Sequence, residues 1–336
     1  MELDPTLEAV TVVALPMRTR FRGITTREVL LVRGSQGWSE WGPFLDYSGP
    51  ELLPWWRACV AWANEPAPTP VRDQVPVNCT IPAVDPEQAR ALAAASGCRT
   101  AKIKIAEPGQ TEADDLARIE AVRDGLGPGG LIRVDANGAW DVDEAERRLR
   151  RLSREELEYV EQPCAEVTEL AEVRHRLARS GVEIAIAADE SIRRSDDPWQ
   201  VVELEAADVA VLKVQPLGGV QACLELAERL PLPVVVSSAL ETSVGLAAGV
   251  ALAAALPELP YACGLNTATL FAADIAAPSL VATDGMMPTG RVTPDPELLA
   301  TATASPDRQE FWRDRLTRTL ADGRGSSRSE ATCRGR

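Results

Sequence analysis

Only three of the 35 basic side chains in this chain of 336 residues are lysines: Lys102, Lys104 and Lys213. An ammonium loses its proton near neutral pH when buried, whereas a guanidinium does not. A lysine kept in an arginine-rich chain therefore points to a task that arginine cannot do. Lys102 and Lys104 lie in the apolar run Ala101-Lys102-Ile103-Lys104-Ile105, and Lys213 lies in Val211-Leu212-Lys213-Val214. Both runs read as buried strands. Residues two apart in a strand share a face, so Lys102 and Lys104 point the same way and each raises the cost of charging the other. That lowers a lysine pKa from its usual value of about 10.4 toward the range of a general base.

Three acidic residues end predicted strands in the same part of the chain. They are Asp135 in Arg133-Val134-Asp135-Ala136-Asn137, Glu161 in Tyr159-Val160-Glu161-Gln162-Pro163, and Asp189 in Ala187-Ala188-Asp189-Glu190-Ser191. If these strands are consecutive in a barrel, their C-terminal ends bring the carboxylates together on the active-site face. Three anions share a buried pocket only with a cation. Oxygen-only ligation, with no histidine or cysteine nearby, selects a hard ion, and Mg²⁺ fits better than Zn²⁺. Glu190, by alternation, is expected to turn away and stand behind the ligands. Arg133, two residues before Asp135, faces the same way as Asp135, either to hold substrate carboxylates or as an ion pair beneath the metal. A metal beside opposed lysines suits removal of the proton α to a carboxylate, with stabilisation of the resulting ene-diolate.

The elements that position these groups follow a repeat. Eight short apolar strands are predicted near Asn78, Ile103, Val134, Glu161, Ala188, Leu212, Val236 and Cys263, spaced 24 to 31 residues apart. Amphipathic helical patterns lie between them, at 85–96, 112–125, 141–152, 166–178 and 221–230. Eight βα repeats close into a barrel rather than an open sheet. The Gly-rich stretch 125–130 follows a helix and precedes a strand, so it reads as a helix stop and turn rather than a phosphate loop. Before the barrel, strands at 8–15, 26–33 and 37–42 form a meander whose basic loop is Arg18 to Gly23, and helix carries the chain to about Asn64. The proline-rich run at 65–70 marks a boundary. The expected organisation is an α+β capping domain at 1–74, the barrel at 75–284, a segment at 285–320 returning to the cap with a helix at 307–320, and a disordered polar tail at 321–336.

Composition excludes several partner classes. A net charge of −15 and a pI near 4.7 argue against nucleic acid and anionic membranes, which require a basic face, and leave a small anionic substrate received by local positive charge. The first residues lack a basic segment followed by an apolar one, so the expected location is cytoplasmic. The apolar run at 243–256 is shorter than a membrane span and reads as a buried helix. Seven cysteines without a C-x-x-C spacing are expected to be reduced and structural. His175, the only histidine, sits in a charged amphipathic helix and is expected at the surface. Trp55 and Trp56 are expected to pack the domain junction, and Tyr47 to approach the lid or join the core. Oligomeric state is not encoded in any motif.

In order and spacing, K-x-K at 102–104, D-A-N at 135–137, E-Q-P at 161–163, A-D-E-S at 188–191 and L-K-V at 212–214 resemble the muconate-lactonizing branch of the enolase superfamily, over residues 8–285. The longer segments at 212–219, 237–245 and 262–267 resemble its o-succinylbenzoate synthase family, of the actinobacterial type. The resemblance implies a modified barrel, (β/α)7β, and a Mg²⁺-assisted dehydratase of menaquinone biosynthesis that uses a lysine base. It implies Lys104 and Lys213 as the catalytic pair, and Asp135, Glu161 and Asp189 as Mg²⁺ ligands. Lys102 and Arg133 become supporting cations, and Ser237, Ser238, Gly264 and Leu265 line the substrate pocket, with the loop at 18–23 as its lid. Dipeptide epimerases of the branch carry D-x-D where this chain has Gly264-Leu265-Asn266, and a mandelate-racemase-like member needs a histidine base. N-succinylamino acid racemization remains the alternative, since the same two lysines serve it. A metal-binding protein that has lost the chemistry fits poorly with an intact set of lysines and carboxylates, and exchange of substrate α-hydrogen with solvent separates the two.

Overall fold

Alternating apolar residues near the N-terminus give a hairpin of β1 (Ala9–Phe21) and β2 (Ile24–Gly34), and β3 (Gly37–Trp41) adds antiparallel to β2. They belong to a computed structural model that describes residues 6–194 and 197–333. Arg22 and Gly23 both have positive φ, 48° and 77°, which makes the tight two-residue turn that hairpins favour. The stretch expected as an open loop, 18–23, is therefore mostly strand. Its register shifts between Pro16 and Phe21.

Helix α1 (Leu52–Asn64) buries Trp55, Trp56 and Cys59. Trp41 meets Trp56 and the C-terminal Trp312 edge-on, at centroid distances of 6.2 and 5.6 Å. The same apolar cluster includes Ala239, Leu240 and Val244 of the barrel, so the tryptophans do pack the junction.

The chain then enters β4 (Gln74–Pro76), β5 (Cys79–Ile81) and α2 (Pro86–Ala95), followed by β6 (Thr100–Lys104), α3 (Glu112–Leu126), β7 (Leu131–Asp135) and α4 (Val142–Leu152). Next come β8 (Tyr159–Glu161), α5 (Val167–Arg179), β9 (Ile186–Ala188), and the short α6 (Glu190–Arg193) and α7 (Gln200–Glu203). They lead to β10 (Val209–Leu212), α8 (Val220–Arg229), β11 (Val234–Val236) and α9 (Ser243–Ala255). The strands from β5 to β11 form one parallel sheet of seven in sequence order. The eighth predicted strand, at Cys263, is reduced to two parallel bridges, Val77 with Cys263 and Ser237 with Gly264. Those bridges join the two edges. Asn78 N–H donates to Cys263 O at 2.9 Å, and Gly264 N–H donates to Val236 O at 2.8 Å. The result is an α/β barrel capped by the N-terminal sheet.

Helix α3 stops at Gly127, whose φ is 74°, so the Gly-rich stretch is the helix stop and turn that was expected. Helix α9 is apolar on every side because it is buried on every side. Its glycines are close-approach points: a Cβ on Gly245 would lie 2.5 Å from Glu40 Cδ, and one on Gly249 would lie 2.7 Å from Leu265 Cδ2. After β12 (Met286–Pro288), which pairs with β4, α10 (Pro296–Ala302) and α11 (Pro306–Cys333) return to the capping sheet. Helix α11 continues past the expected end at Leu320. The sequence to Cys333 has no proline to stop it, although Gly323 and Gly325 each weaken it by about 1 kcal/mol. Residues 334–336 of the expected tail lie outside the described residues.

Among the described residues no helix is long and apolar enough to cross a membrane. Six cysteines are buried free thiols, and His175 is exposed.

Candidate active site

The parallel register aligns the chemistry. Lys104 pairs with Asp135 across β6 and β7, and Asp135 pairs with Glu161 across β7 and β8. Asp189 follows β9 directly and Lys213 follows β10. All three carboxylates are at most 1% exposed, and the three lysines are 5 to 7% exposed. Burying so many charges is tolerable only because each finds an opposite one. Lys102 Nζ lies 2.6 Å from Glu161 Oε1 and 2.9 Å from Asp135 Oδ2. Lys104 Nζ lies 2.6 Å from Asp135 Oδ2, and Lys213 Nζ lies 2.6 Å from Asp189 Oδ2.

The neighbours of these groups orient them. Gln162 Oε1 accepts the N–H of Asp189 at 2.9 Å and of Ser191 at 3.2 Å, so the glutamine of E-Q-P fixes the next strand end. Asn137, in the left-handed conformation with φ 48°, turns back so that its side-chain oxygen accepts from Lys104. Glu190 does not turn away as alternation predicted. The chain passes from strand to helix at Asp189, and Glu190 takes hydrogen bonds from Arg193 and Asn137, with its Oε2 buried and unpaired among the described residues.

Electrostatics differ among the lysines. Burial alone would lower Lys102, but Asp135 and Glu161 outweigh it and raise its pKa, reversing the expectation for the K-x-K pair at that position. Burial lowers Lys213, helped by Arg193 and opposed by Asp189. Glu161 is pushed up to about 7 by burial and then by the charge of Asp135, whereas Lys102 and Lys104 overcome burial and hold Asp135 well below the carboxylate range.

Three buried all-oxygen donors on adjacent strand ends fit a hard divalent cation by donor chemistry. Among the described residues no three acidic, histidine or cysteine side chains are already gathered around one point, because the carboxylate oxygens are turned onto the lysines.

Above the carboxylates is a cavity of about 30 Å³, lined by Lys102, Lys104, Asp135, Asn137, Lys213, Thr80, Ser237, Ser238, Gly264 and Thr267 and roofed by Phe21, Arg22 and Phe44. That is room for about one water. The hairpin turn at Arg22 does reach the mouth, as the lid reading required. Gly264 is part of the wall because a Cβ there would lie 2.5 Å from Ser237 Oγ. Leu265, expected in the lining, is elsewhere, and Arg133 lies below the carboxylates, where its ion-pair reading put it. Leu265 points away to pack on Gly249 of α9. Arg133 lies at the barrel floor, with Nε 2.7 Å from Glu158 Oε2 and Nη1 donating to Ala262 O at 2.6 Å, one layer below the carboxylates. The same-face argument was correct for Arg133, but a two-residue step along a strand also drops a layer.

Residues 12–63 match the family described as Enolase N-terminal domain-like, and residues 85–294 match Enolase C-terminal domain-like. The chain is 60% identical to an o-succinylbenzoate synthase of Thermobifida fusca over 92% of its own length and 95% of the relative's. The chain belongs to the o-succinylbenzoate synthase family of the enolase superfamily. A second member of the family, from Mycolicibacterium smegmatis, is 51% identical over 94% of this chain and 96% of its own. Among solved structures, the muconate lactonizing enzyme of Pseudomonas fluorescens aligns with a TM-score of 0.75 at 21% identity, covering 89% of this chain and 99% of its own. The N-succinyl Arg/Lys racemase of Bacillus cereus aligns at 0.73 and 20%, covering 89% and 98%. At such identities these two neighbours speak for the fold.

Sequence reading missed Thr80 and Phe44, whose neighbours in the chain carry no motif, whereas Phe21 lies in the stretch read as the lid and Thr267 in the segment 262–267, neither singled out. Asn137 was in view as part of D-A-N, and its place next to Asp135 was the available signal.

Proposed function

We propose that this protein is an o-succinylbenzoate synthase, a hydro-lyase of menaquinone biosynthesis that converts 2-succinyl-6-hydroxy-2,4-cyclohexadiene-1-carboxylate to 2-succinylbenzoate. The observation that carries the reading is that Lys104 and Lys213, from opposite sides of the barrel, line one cavity above three buried carboxylates, in a chain of this family. Asp135, Glu161 and Asp189 are the groups that would hold Mg²⁺, which when bound supplies Lewis-acid stabilisation to a substrate carboxylate.

Lys104 takes the proton α to the ring carboxylate. The C–H electron pair moves into the ring and its carboxylate, the C–O bond to the hydroxyl then breaks, and the proton on Lys104 leaves with the hydroxide as water. Loss of water makes the ring aromatic, so proton removal is the hard step. Lys213 stands opposite as a cation, and Lys102 adds positive charge beside the base. The lowered pKa of Lys213 favours a second assignment in which the two lysines exchange roles. Ser237 and Ser238 offer hydroxyl donors to the substrate, and Gly264, which carries no side chain, leaves room beside Ser237. Arg133 and Leu265 support the wall from beneath and behind. We assign residues 1–74 and 285–320 to the capping unit and 75–284 to a (β/α)7β barrel.

The test is to supply the purified protein and Mg²⁺ with the cyclohexadiene hydroxy acid, and separately with N-succinylamino acids in deuterated water. Dehydration with Mg²⁺-dependent turnover is expected. Racemization without dehydration would move the protein to the racemase reading, and no exchange with either substrate would reject both.

A further inference from the structure

Phe44 roofs the cavity, yet it belongs to a loop with no regular structure of its own. The ring is 7% exposed and stacks against the guanidinium groups of Arg22 at 4.4 Å and Arg27 at 4.5 Å. A space of about 30 Å³ holds about one water, so a substrate enters only as the roof shifts, and the resting place of that ring sets how the roof closes over what has entered.

The loop is held by one side chain from the far end of the chain. Arg315 of α11 is buried, and its Nη1 donates to Pro43 O at 2.9 Å. Its Nη2 donates to Phe44 O at 2.7 Å and to Tyr47 O at 2.9 Å. The guanidinium is fixed in turn between indoles, 5.1 Å from the ring of Trp312 and 5.8 Å from that of Trp41. Three carbonyls of five consecutive residues thus converge on one planar fork. A lysine presents no such fork and an apolar residue has no donor at all, and a buried carbonyl without a donor is costly. On its other side the loop meets the barrel: Arg194 Nη1 lies 3.0 Å from Asp46 Oδ2, and Arg193 donates to the Tyr47 hydroxyl. Arg315 therefore sets the shape of the loop from the α11 side, while Arg193 and Arg194 at the end of α6 hold its other edge.

We propose that Arg315 is a positioning residue for substrate binding, acting through Phe44: by clamping the loop at 43–47 it holds the aromatic roof over the catalytic lysines. The role rests on reading the cavity as the active site. Because Phe44 contributes apolar contact rather than chemistry, loss of the clamp weakens substrate and transition-state binding alike and shows in KM rather than in kcat.

The experiment is steady-state dehydration kinetics, with Tm alongside, for Arg315→Gln, Phe44→Ala, the double variant, and Arg308→Gln as a control. Arg308 lies on the same helix but pairs with Glu28 of β2, so its loss tests helix docking without touching the loop. Expected results are a KM increase of about ten-fold for Arg315→Gln with kcat within about three-fold, a double variant no worse than Phe44→Ala alone, and an unchanged KM for Arg308→Gln. If Arg315→Gln does not fold, Arg315→Lys carries the same test, with a KM rise of about three-fold that vanishes in the Phe44→Ala background. A folded Arg315 variant with normal KM, or effects that multiply in the double variant, overturns the proposal. An inactive wild-type protein would instead reject the functional reading itself.

Discussion

The ammonium of Lys104 lies 2.6 Å from Asp135 Oδ2, so the side chain proposed as base and one proposed as metal ligand are in direct contact. The same pattern recurs at Lys213 and Asp189. Each lysine occupies a carboxylate that an ion would claim, and loading the site requires the carboxylates to be shared out again. Exhaustive chelation is therefore expected to abolish turnover, and added Mg²⁺ to restore it. Asp135→Asn, Glu161→Gln and Asp189→Asn are each expected to lower kcat by about a hundred-fold or more while circular dichroism stays unchanged. Full activity in the chelated protein would contradict the assignment of these ligands.

Arg133 is expected to matter for stability. Replacing it with Met leaves Glu158 and the Ala262 carbonyl without their donor at the barrel floor, at a cost of about 3 kcal/mol. Denaturant unfolding measures that loss, and KM for the substrate should stay within about two-fold. A large KM increase at unaltered stability would return Arg133 to the substrate pocket.

These two sites mark how far the sequence could be read. The lysines and carboxylates were legible because strand period and βα spacing fix both face and end, and the register pairs Lys104 with Asp135 and Asp135 with Glu161. Depth within the barrel was left open between two readings: Arg133 shares a face with Asp135, and its pairing with Glu158 a layer lower selects the ion pair beneath the carboxylates over a substrate contact. Glu190 escaped the alternation rule because strand becomes helix at Asp189. The roof was hidden for another reason. Phe44 and Arg315 are 271 residues apart, and their contact depends on how the last helix packs on the first sheet.

Glu40 carries a pH dependence in the contact between cap and barrel. Burial, and then the charge of Glu241, push its pKa up from 4.5 to about 8, against hydrogen bonds from Thr242 and the charge of Arg27. Between those two values the folded protein binds a proton that the unfolded chain has released, so stability falls as pH rises, by at most about 1.4 kcal/mol per pH unit. The Tm of the wild type should therefore drop more steeply than that of Glu40→Gln between about pH 6 and pH 8. Parallel curves would show that Glu40 is charged in the folded state throughout.

The most direct test of the mechanism is the kcat for dehydration of Lys104→Arg beside that of Lys213→Arg. Arginine keeps the positive charge and the hydrogen-bonding capacity but cannot accept the proton at working pH. Lys104→Arg is expected to lose about a thousand-fold or more in kcat with the fold intact, and Lys213→Arg to keep measurable turnover. The reverse ranking would exchange the roles of the two lysines, and near-normal kcat in both variants would contradict lysine-based proton abstraction altogether.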